Sequence, residues 1–183
     1  MSVLTSEIAD ELIRSQGLDV TIPDIYTSIE GGMDGAFFSK NLTSVVIPDS
    51  ITAIADFAFH DNQLTSVVIP DTVTSIGRKA FGNNSLKFVI IPDSVISIGD
   101  AAFDYNDLTS ILIGNSVSSI GDSAFQGNKL TSIDIPDSVV SIGSNAFQFN
   151  SLESLVIPDS VTFIGTNAFK SNQLSAVRVP NIA

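Results

Sequence analysis

The chain of 183 residues has no cysteine, which excludes a disulfide framework and a thiolate metal site and leaves the redox compartment open. It has no tryptophan and two tyrosines, Tyr26 and Tyr105, so flat platforms for stacking sugars are scarce. His60 is the one histidine. It has no second imidazole with which to share a metal and no thiol to activate, and it falls in a variable turn place that predicts a surface residue. Ser and Thr recur by period rather than as a unique nucleophile beside a base, and no glycine-rich phosphate loop is present. Basic residues number 8 against 20 acidic ones, giving a net charge of −12. That excess argues against nucleic acid and anionic membrane surfaces as partners, and fits solubility or cation binding. No apolar run approaches the roughly 20 residues needed to cross a bilayer. The opening MSVLTSEIADELIRSQ lacks a basic start followed by an apolar core and does not read as a secretory signal. The expectation is a cytoplasmic chain, or a mature piece whose targeting segment lies outside it.

What the chain does have is a repeated unit. A leucine recurs as Leu42, Leu64, Leu86, Leu108, Leu130, Leu152 and Leu174, each 22 residues after the last. The clearest copy, from Leu130 to Ser151, reads LTSIDIPDSVVSIGSNAFQFNS. A fixed period of this length is the signature of a solenoid, in which each unit buries its apolar face only against its neighbours. The resulting divisions are a capping helix over 1–16, a degenerate first repeat over 17–41, six repeats over 42–173 and a partial repeat over 174–183.

Counted from the leucine, the first, fourth and sixth places are apolar, which predicts a short strand with one buried face. Proline at the seventh place (Pro48, Pro70, Pro92, Pro136, Pro158, Pro180) ends that strand. An aspartate and then Ser or Thr make a corner. A second apolar pair, as in Val139 and Ile142, predicts a second extended stretch ending in a tight bend at glycine. The unit closes with Ala–Phe in a short helical turn, then asparagine. Stacking then piles Phe37, Phe59, Phe81, Phe103, Phe125, Phe147 and Phe169 into a spine. It also aligns Asn62, Asn84, Asn106, Asn128, Asn150 and Asn172 in a ladder whose amides satisfy buried backbone groups. Asn41 stands one place out of step. Copy four has Gly114–Asn115 in place of Pro–Asp, which predicts a local bend or a looser corner.

At the start, Leu4, Ile8 and Leu12 recur every four residues, so a helix is expected from Leu4 to Gln16, capped by Thr5 or Ser6. Its role is to cover the raw end of the stack. The loop EGGMDG, Glu30 to Gly35, holds about three extra residues and should stand off the rod. The final LSAVRVPNIA brings one more strand and no cap. Such an edge invites pairing, either with further repeats or end to end with a second copy as a homodimer.

The pattern LxxVxIPxSVxxIGxxAFxxN resembles the BspA-like leucine-rich repeats of bacterial surface and secreted proteins, from about Leu42 to Asn172 and more weakly on either side. Where the commoner leucine-rich pattern has Asn or Cys, this chain has Ser50, Thr72, Ser94, Ser116, Ser138 and Ser160, which favours the BspA-like subclass. The resemblance implies a curved, right-handed leucine-rich-repeat solenoid, mainly β with short helical turns, at the cell surface or secreted. It implies adhesion or protein recognition, no catalytic residues and no cofactor.

The best candidate surface is the outward, concave side of the strands. It carries Val46, Val68, Phe88, Ile90, Leu112, Asp134, Val156 and Arg178, an apolar strip bordered by Ser and Thr. Solenoids commonly use this side to bind a protein. The corner aspartates Asp49, Asp71, Asp93, Asp137 and Asp159 (with Asp24 before them) line one ridge. Either each caps its own corner, or the ridge holds Ca²⁺. Two other readings are a structural spacer in a longer surface protein and a carbohydrate- or ice-binding solenoid. The latter is weakened where Lys87 and Glu153 interrupt the row of Thr43, Thr65, Thr109 and Thr131.

Overall fold

Two apolar clusters per repeat build two parallel ladders, and a row of turns closes each layer. The computed structural model describes residues 2–179. The expected Pro180 corner and the last residues of the partial repeat lie outside them. In chain order the elements are β1 (Val3–Leu4), α1 (Ser6–Gln16), β2 (Asp19–Thr21), β3 (Ser28–Ile29), β4 (Ser44–Val46), β5 (Ala53–Ile54), β6 (Ser75–Ile76) and β7 (Phe88–Ile91). They continue as β8 (Ser97–Ile98), β9 (Ser110–Ile113), β10 (Ser119–Ile120), β11 (Ser141–Ile142), β12 (Ser154–Val156), β13 (Phe163–Ile164) and β14 (Ala176–Arg178). Together they form a leucine-rich-repeat solenoid of about eight turns.

The second apolar pair of each repeat makes an unbroken six-stranded ladder, β13-β11-β10-β8-β6-β5. Its register is 22 residues per layer, with Ile54 over Ile76 and Ile98 over Ile120. The first strands form only pairs: β2 with β4, β7 with β9 and β12 with β14. Between the two ladders the inward side chains Leu42, Val45, Ile47, Ile51 and Ile54 are buried, and so are most of their equivalents in the layers up to Val161.

The phenylalanine spine is a true column. Successive rings from Phe37 to Phe169 stand 5.3–5.5 Å apart with interplanar angles of 1–14°. The asparagine ladder is equally regular. Asn84 Nδ2 donates to the Phe59 carbonyl of the preceding layer at 2.9 Å and to Phe81 in its own layer at 3.1 Å. Asn84 Oδ1 accepts from Leu64 N–H at 3.0 Å. Lys40 takes the ladder place in the degenerate repeat, and its ammonium pairs with Asp10 of α1 at 2.7 Å.

Ala–Phe sits in a single short turn closed by an i→i+3 bond, not in a continuing α-helix. Two overlapping bends, Ala58 N–H to Ala55 O and His60 N–H to Phe57 O, flank a left-handed residue, Phe57 at φ +60°. Lys79, Ala101, Ser123, Asn145 and Asn167 repeat that conformation, so no α turn can propagate. The glycine two places earlier is therefore not the bend. It is needed for close stacking. A Cβ on Gly99 would lie 2.6 Å from the Gly77 carbonyl carbon and 2.7 Å from Arg78 N, which are backbone atoms that cannot rotate away. Ala55, the exception, sits over Gly31, whose bare Cα leaves it space. Gly99→Ala should therefore cost about 1–3 kcal/mol through overpacking, measured as a lower thermal midpoint, whereas Ala55→Gly should cost far less.

The amino-terminal end is closed in three ways. Leu4 is not helical. It pairs with Ile29 in β1–β3 and is fully buried, because that edge of the second ladder needs a strand more than α1 needs another turn. Gln16 serves the other ladder, where its side-chain amide donates to Thr21 O at 3.2 Å and accepts from Thr21 N–H at 2.8 Å, as a neighbouring strand would. The helix start is capped by neither Thr5 nor Ser6 side chains. Glu30 Oε2 accepts from Ser6 N–H at 3.0 Å. The loop around Glu30 is thereby tied down, with Gly32 N–H bonded to Asp56 O at 2.8 Å, and Met33 stands out of it. The other end of the described stack leaves Phe163, Ile164, Val177 and Val179 exposed.

Gly114 does not loosen its corner. A Cβ there would meet the Pro92 carbonyl oxygen at 2.5 Å, and Asp93 Oδ1 accepts from Asn115 N–H at 2.6 Å. β9 runs to Ile113, which pairs with Ile91 of β7.

Candidate functional site

Alternation along each strand turns the fourth and sixth places inward and the fifth outward. Val46, Val68, Ile90, Leu112 and Val156 are accordingly half exposed or more, Val68 most of all at 80%, and Phe88 joins them from the third place. Asp134 and Arg178 are exposed on the same face.

This face is not a continuous sheet. No backbone hydrogen bonds join Ser66–Val68 to β4 on one side or to β7 on the other. Ser132–Asp134 likewise forms no strand. Where the ladder is open between Ser66–Val68 and β7 there is a groove of about 500 Å³. Val68, Phe88 and Ile90 are its exposed apolar walls, Val67 and Ile69 its floor, and Asp71 and Lys87 its charged rim. The structure thus brings three of the expected residues together. Val46 lies opposite Thr21, and Leu112 opposite Ile90, farther along the same face. Val156 pairs with Arg178 and lines a second, polar hollow of about 410 Å³ with Asp137 and Asp159.

Sequence reasoning placed Thr65 and Ser66 on this face but missed the open ladder and the place of Lys87 on the groove's rim. The outward threonines include two that are already engaged. Thr43 Oγ1 donates to Asp19 at 2.7 Å, and this bond holds the Asp19 carboxyl below its usual range. Thr109 Oγ1 donates to Lys87 O at 3.3 Å. Hydroxyls already bonded to the neighbouring layer suit a flat ice-matching array poorly.

The corner aspartates are exposed, but they do not cap their own corners as one reading predicted. The corner is closed by backbone, as in Ile51 N–H to Pro48 O at 3.1 Å. The following hydroxyl reaches the preceding layer, as in Ser94 Oγ to Val73 O at 2.6 Å. Among the described residues no three His, Asp or Glu side chains are grouped so as to hold a metal ion. No described helix is long and apolar enough to cross a membrane. His60 is not the surface residue expected. It is half-buried, with its ring stacked on Phe38 at 5.7 Å.

The profile of the BspA type leucine-rich repeat region matches residues 33–148 and 74–183, in six copies. The chain belongs to the BspA-type leucine-rich repeat family. No curated protein matches it. Among solved structures, a leucine-rich repeat protein from Bacteroides ovatus is 23% identical over 88% of this chain and 51% of its own, with a TM-score of 0.65. A leucine-rich cell surface protein from Faecalibacterium prausnitzii is 27% identical over 87% of this chain and 59% of its own, with a TM-score of 0.57. The chain therefore spans little more than half the length of these two proteins. The first of them supports the fold alone.

Proposed function

We propose that this BspA-type rod is a non-enzymatic recognition module at the cell surface or secreted, and that it binds a protein through its strand face. The observation that carries this reading is the groove between Ser66–Val68 and β7. It combines Val68, the most exposed aliphatic side chain among the described residues, with a stretch, Ser66–Val68, whose backbone is left out of the ladder. An extended segment laid across such a groove places its alternate side chains against the apolar walls. The rim is acidic at Asp71, with exposed Asp49 and Asp93 beside it, and the whole chain carries −12. The complementary ligand is an extended peptide with one large apolar side chain flanked by Lys or Arg. Val46, Leu112 and Val156 extend the contact along the rod, with Asp134 and Arg178 at its polar end. The cell-surface setting is supported by the family and by the relative from Faecalibacterium prausnitzii, which is itself described as a cell surface protein.

A displayed library of random peptides, selected on the wild-type chain and counter-selected on the double variant Val68→Lys, Ile90→Lys, tests this proposal. Peptides with the stated pattern should be recovered on the wild type and bind the variant at least about tenfold more weakly, equivalent to about 1.4 kcal/mol. Equal recovery on both would leave the face as the surface of a structural spacer.

A further inference from the structure

His60, Gly82 and Asp104 occupy the same place in three successive layers of the turn face. Elsewhere in this row, adjacent polar side chains bond directly, as Gln126 Nε2 does to Gln148 Oε1 at 2.8 Å. Gly82 has no side chain to part its neighbours. A Cβ there would overlap Asp104 Oδ1 and stand 3.0 Å from His60 Nδ1, so both atoms converge on the bare Cα of Gly82 from opposite layers. Both atoms are buried, and neither has a hydrogen-bond partner among the described residues. Asp104 is only 6% exposed.

The surroundings are apolar with few charges. The His60 ring is covered by Phe38 and met edge-on by Phe57 at 5.7 Å. Lys79 faces both groups, its ammonium 5.9 Å from the Phe57 ring, and Asp61 also faces His60. Burial pushes the Asp104 carboxyl up to about 6, and Lys79 acts the other way. Burial, then Lys79, holds the His60 imidazole below its usual value, while the Gly82 backbone and Asp61 act the other way.

We propose that His60 and Asp104 hold a single proton between them across Gly82, and that this shared proton makes the stability of the rod's middle layers depend on pH. With one proton on the pair, either a protonated carboxyl donates to a neutral imidazole or an imidazolium donates to a carboxylate. A small rotation of the two side chains toward each other over the bare Cα of Gly82 would give each orphaned atom its partner in either form. A second proton adds a buried positive charge beside Lys79, and loss of the last proton leaves a buried carboxylate unmatched.

The two ends of the pH window follow from linkage. Asp104 binds its proton more tightly in the folded chain, so its stabilising share is complete below its unfolded value near 3.9 and is lost as pH rises through about 6. His60 binds its proton less tightly in the folded chain, so its share is complete above about 6.5 and is lost as pH falls below that. The pair is coupled, and the observed steps belong to both groups together.

As the chain's one histidine, His60 gives a single imidazole resonance that can be followed by NMR through a pH titration of the full chain. In Asp104→Asn, a near-isosteric change, the proton affinity of His60 should fall at least threefold. The thermal midpoint of that variant should lack the share that Asp104 adds below about pH 6, and so should fall more steeply than the wild type's between pH 6 and 4. Gly82→Ala wedges a methyl between the two groups and should move the same resonance, which gives a second reading if either variant folds poorly. An identical His60 titration in wild type and Asp104→Asn would overturn the proposal.

Discussion

Phe103→Ala should lower the stability of the rod by about 4–6 kcal/mol. Phe103 is fully buried, and truncating a buried phenylalanine to alanine costs about 3–5 kcal/mol through lost transfer energy and the cavity left behind. The ring also stacks on Phe81 at 5.4 Å and on Phe125 at 5.5 Å, and each such pair adds about 0.5–1.5 kcal/mol beyond area. The hole cannot close easily, because the layers above and below are held at fixed spacing by bonds such as Phe81 N–H to Ala102 O and Phe103 N–H to Ala124 O, both 2.8 Å. In a chain of this length the midpoint should drop by about 10–20 °C. The rod's stability is a sum of layer and interface terms, so a defect at its centre uncouples the two halves. The melt should broaden or split for Phe103→Ala. It should do so much less for Phe169→Ala, where the ring is only half-buried and stacks on Phe147 alone. Circular dichroism melts of both variants check this. A sharp melt within about 1 kcal/mol of wild type for Phe103→Ala would mean that the spine does not hold the layers together.

Residues that repeat are legible because the period tells each one what lies above and below it. The spine, the asparagine ladder and both inward apolar sets could be read from spacing alone, since Phe59 and Phe81 can only be neighbours if every layer has the same length. What failed were inferences from residue type within one layer. Glycine suggested a bend. Yet Gly99 is needed for a contact with Gly77, which is 22 residues away in sequence, while the left-handed conformation falls on Ala101. Leu4 fitted a helical period, but the edge of the second ladder claimed it as a strand. The aspartate after proline suggested a corner cap, but the proline carbonyl closes the corner itself.

The candidate site was half legible. Alternation placed Val68, Phe88 and Ile90 on the outer face correctly. The groove itself could not be foreseen, because Thr43–Ile47 and Thr65–Ile69 are the same five residues, TSVVI. One stretch contains β4 and the other contains no strand. The difference comes from the layers on either side, chiefly Phe88 and Lys87 where other copies have Ser and Thr. The meeting of His60 with Asp104 was hidden for a similar reason. Each is unremarkable alone, and only the missing side chain of Gly82 lets groups 44 residues apart converge.

Asn128→Asp separates the hydrogen-bonding role of the asparagine ladder from its shape. Asparagine and aspartate have nearly the same volume, so packing is preserved and only the donors are lost. Asn128 Nδ2 donates to Phe103 O at 2.9 Å and to Phe125 O at 3.1 Å, while Oδ1 accepts from Leu108 N–H at 3.0 Å. A carboxylate keeps the last bond but turns a second oxygen toward two carbonyl oxygens in a site only 7% exposed. Phe103 O and Phe125 O keep the Asn106 and Asn150 amides as donors, but the new carboxylate oxygen faces them with no donor of its own, and a buried charged group left unmatched costs more than the roughly 1–3 kcal/mol of a neutral one. A loss of about 3–5 kcal/mol is expected at pH 7. The new carboxyl would bind a proton more tightly in the folded chain than in the unfolded one, because the neutral acid regains one donor. Its penalty should therefore be smallest below about pH 4 and grow as pH rises toward neutrality. Denaturant melts of wild type and variant at pH 4 and pH 7.5 measure the difference. A penalty equal at both pH values would mean that the amide's donors do not support the turns. A penalty that grows with pH would identify the amide N–H groups, rather than the side chain's bulk, as what links each layer to the last.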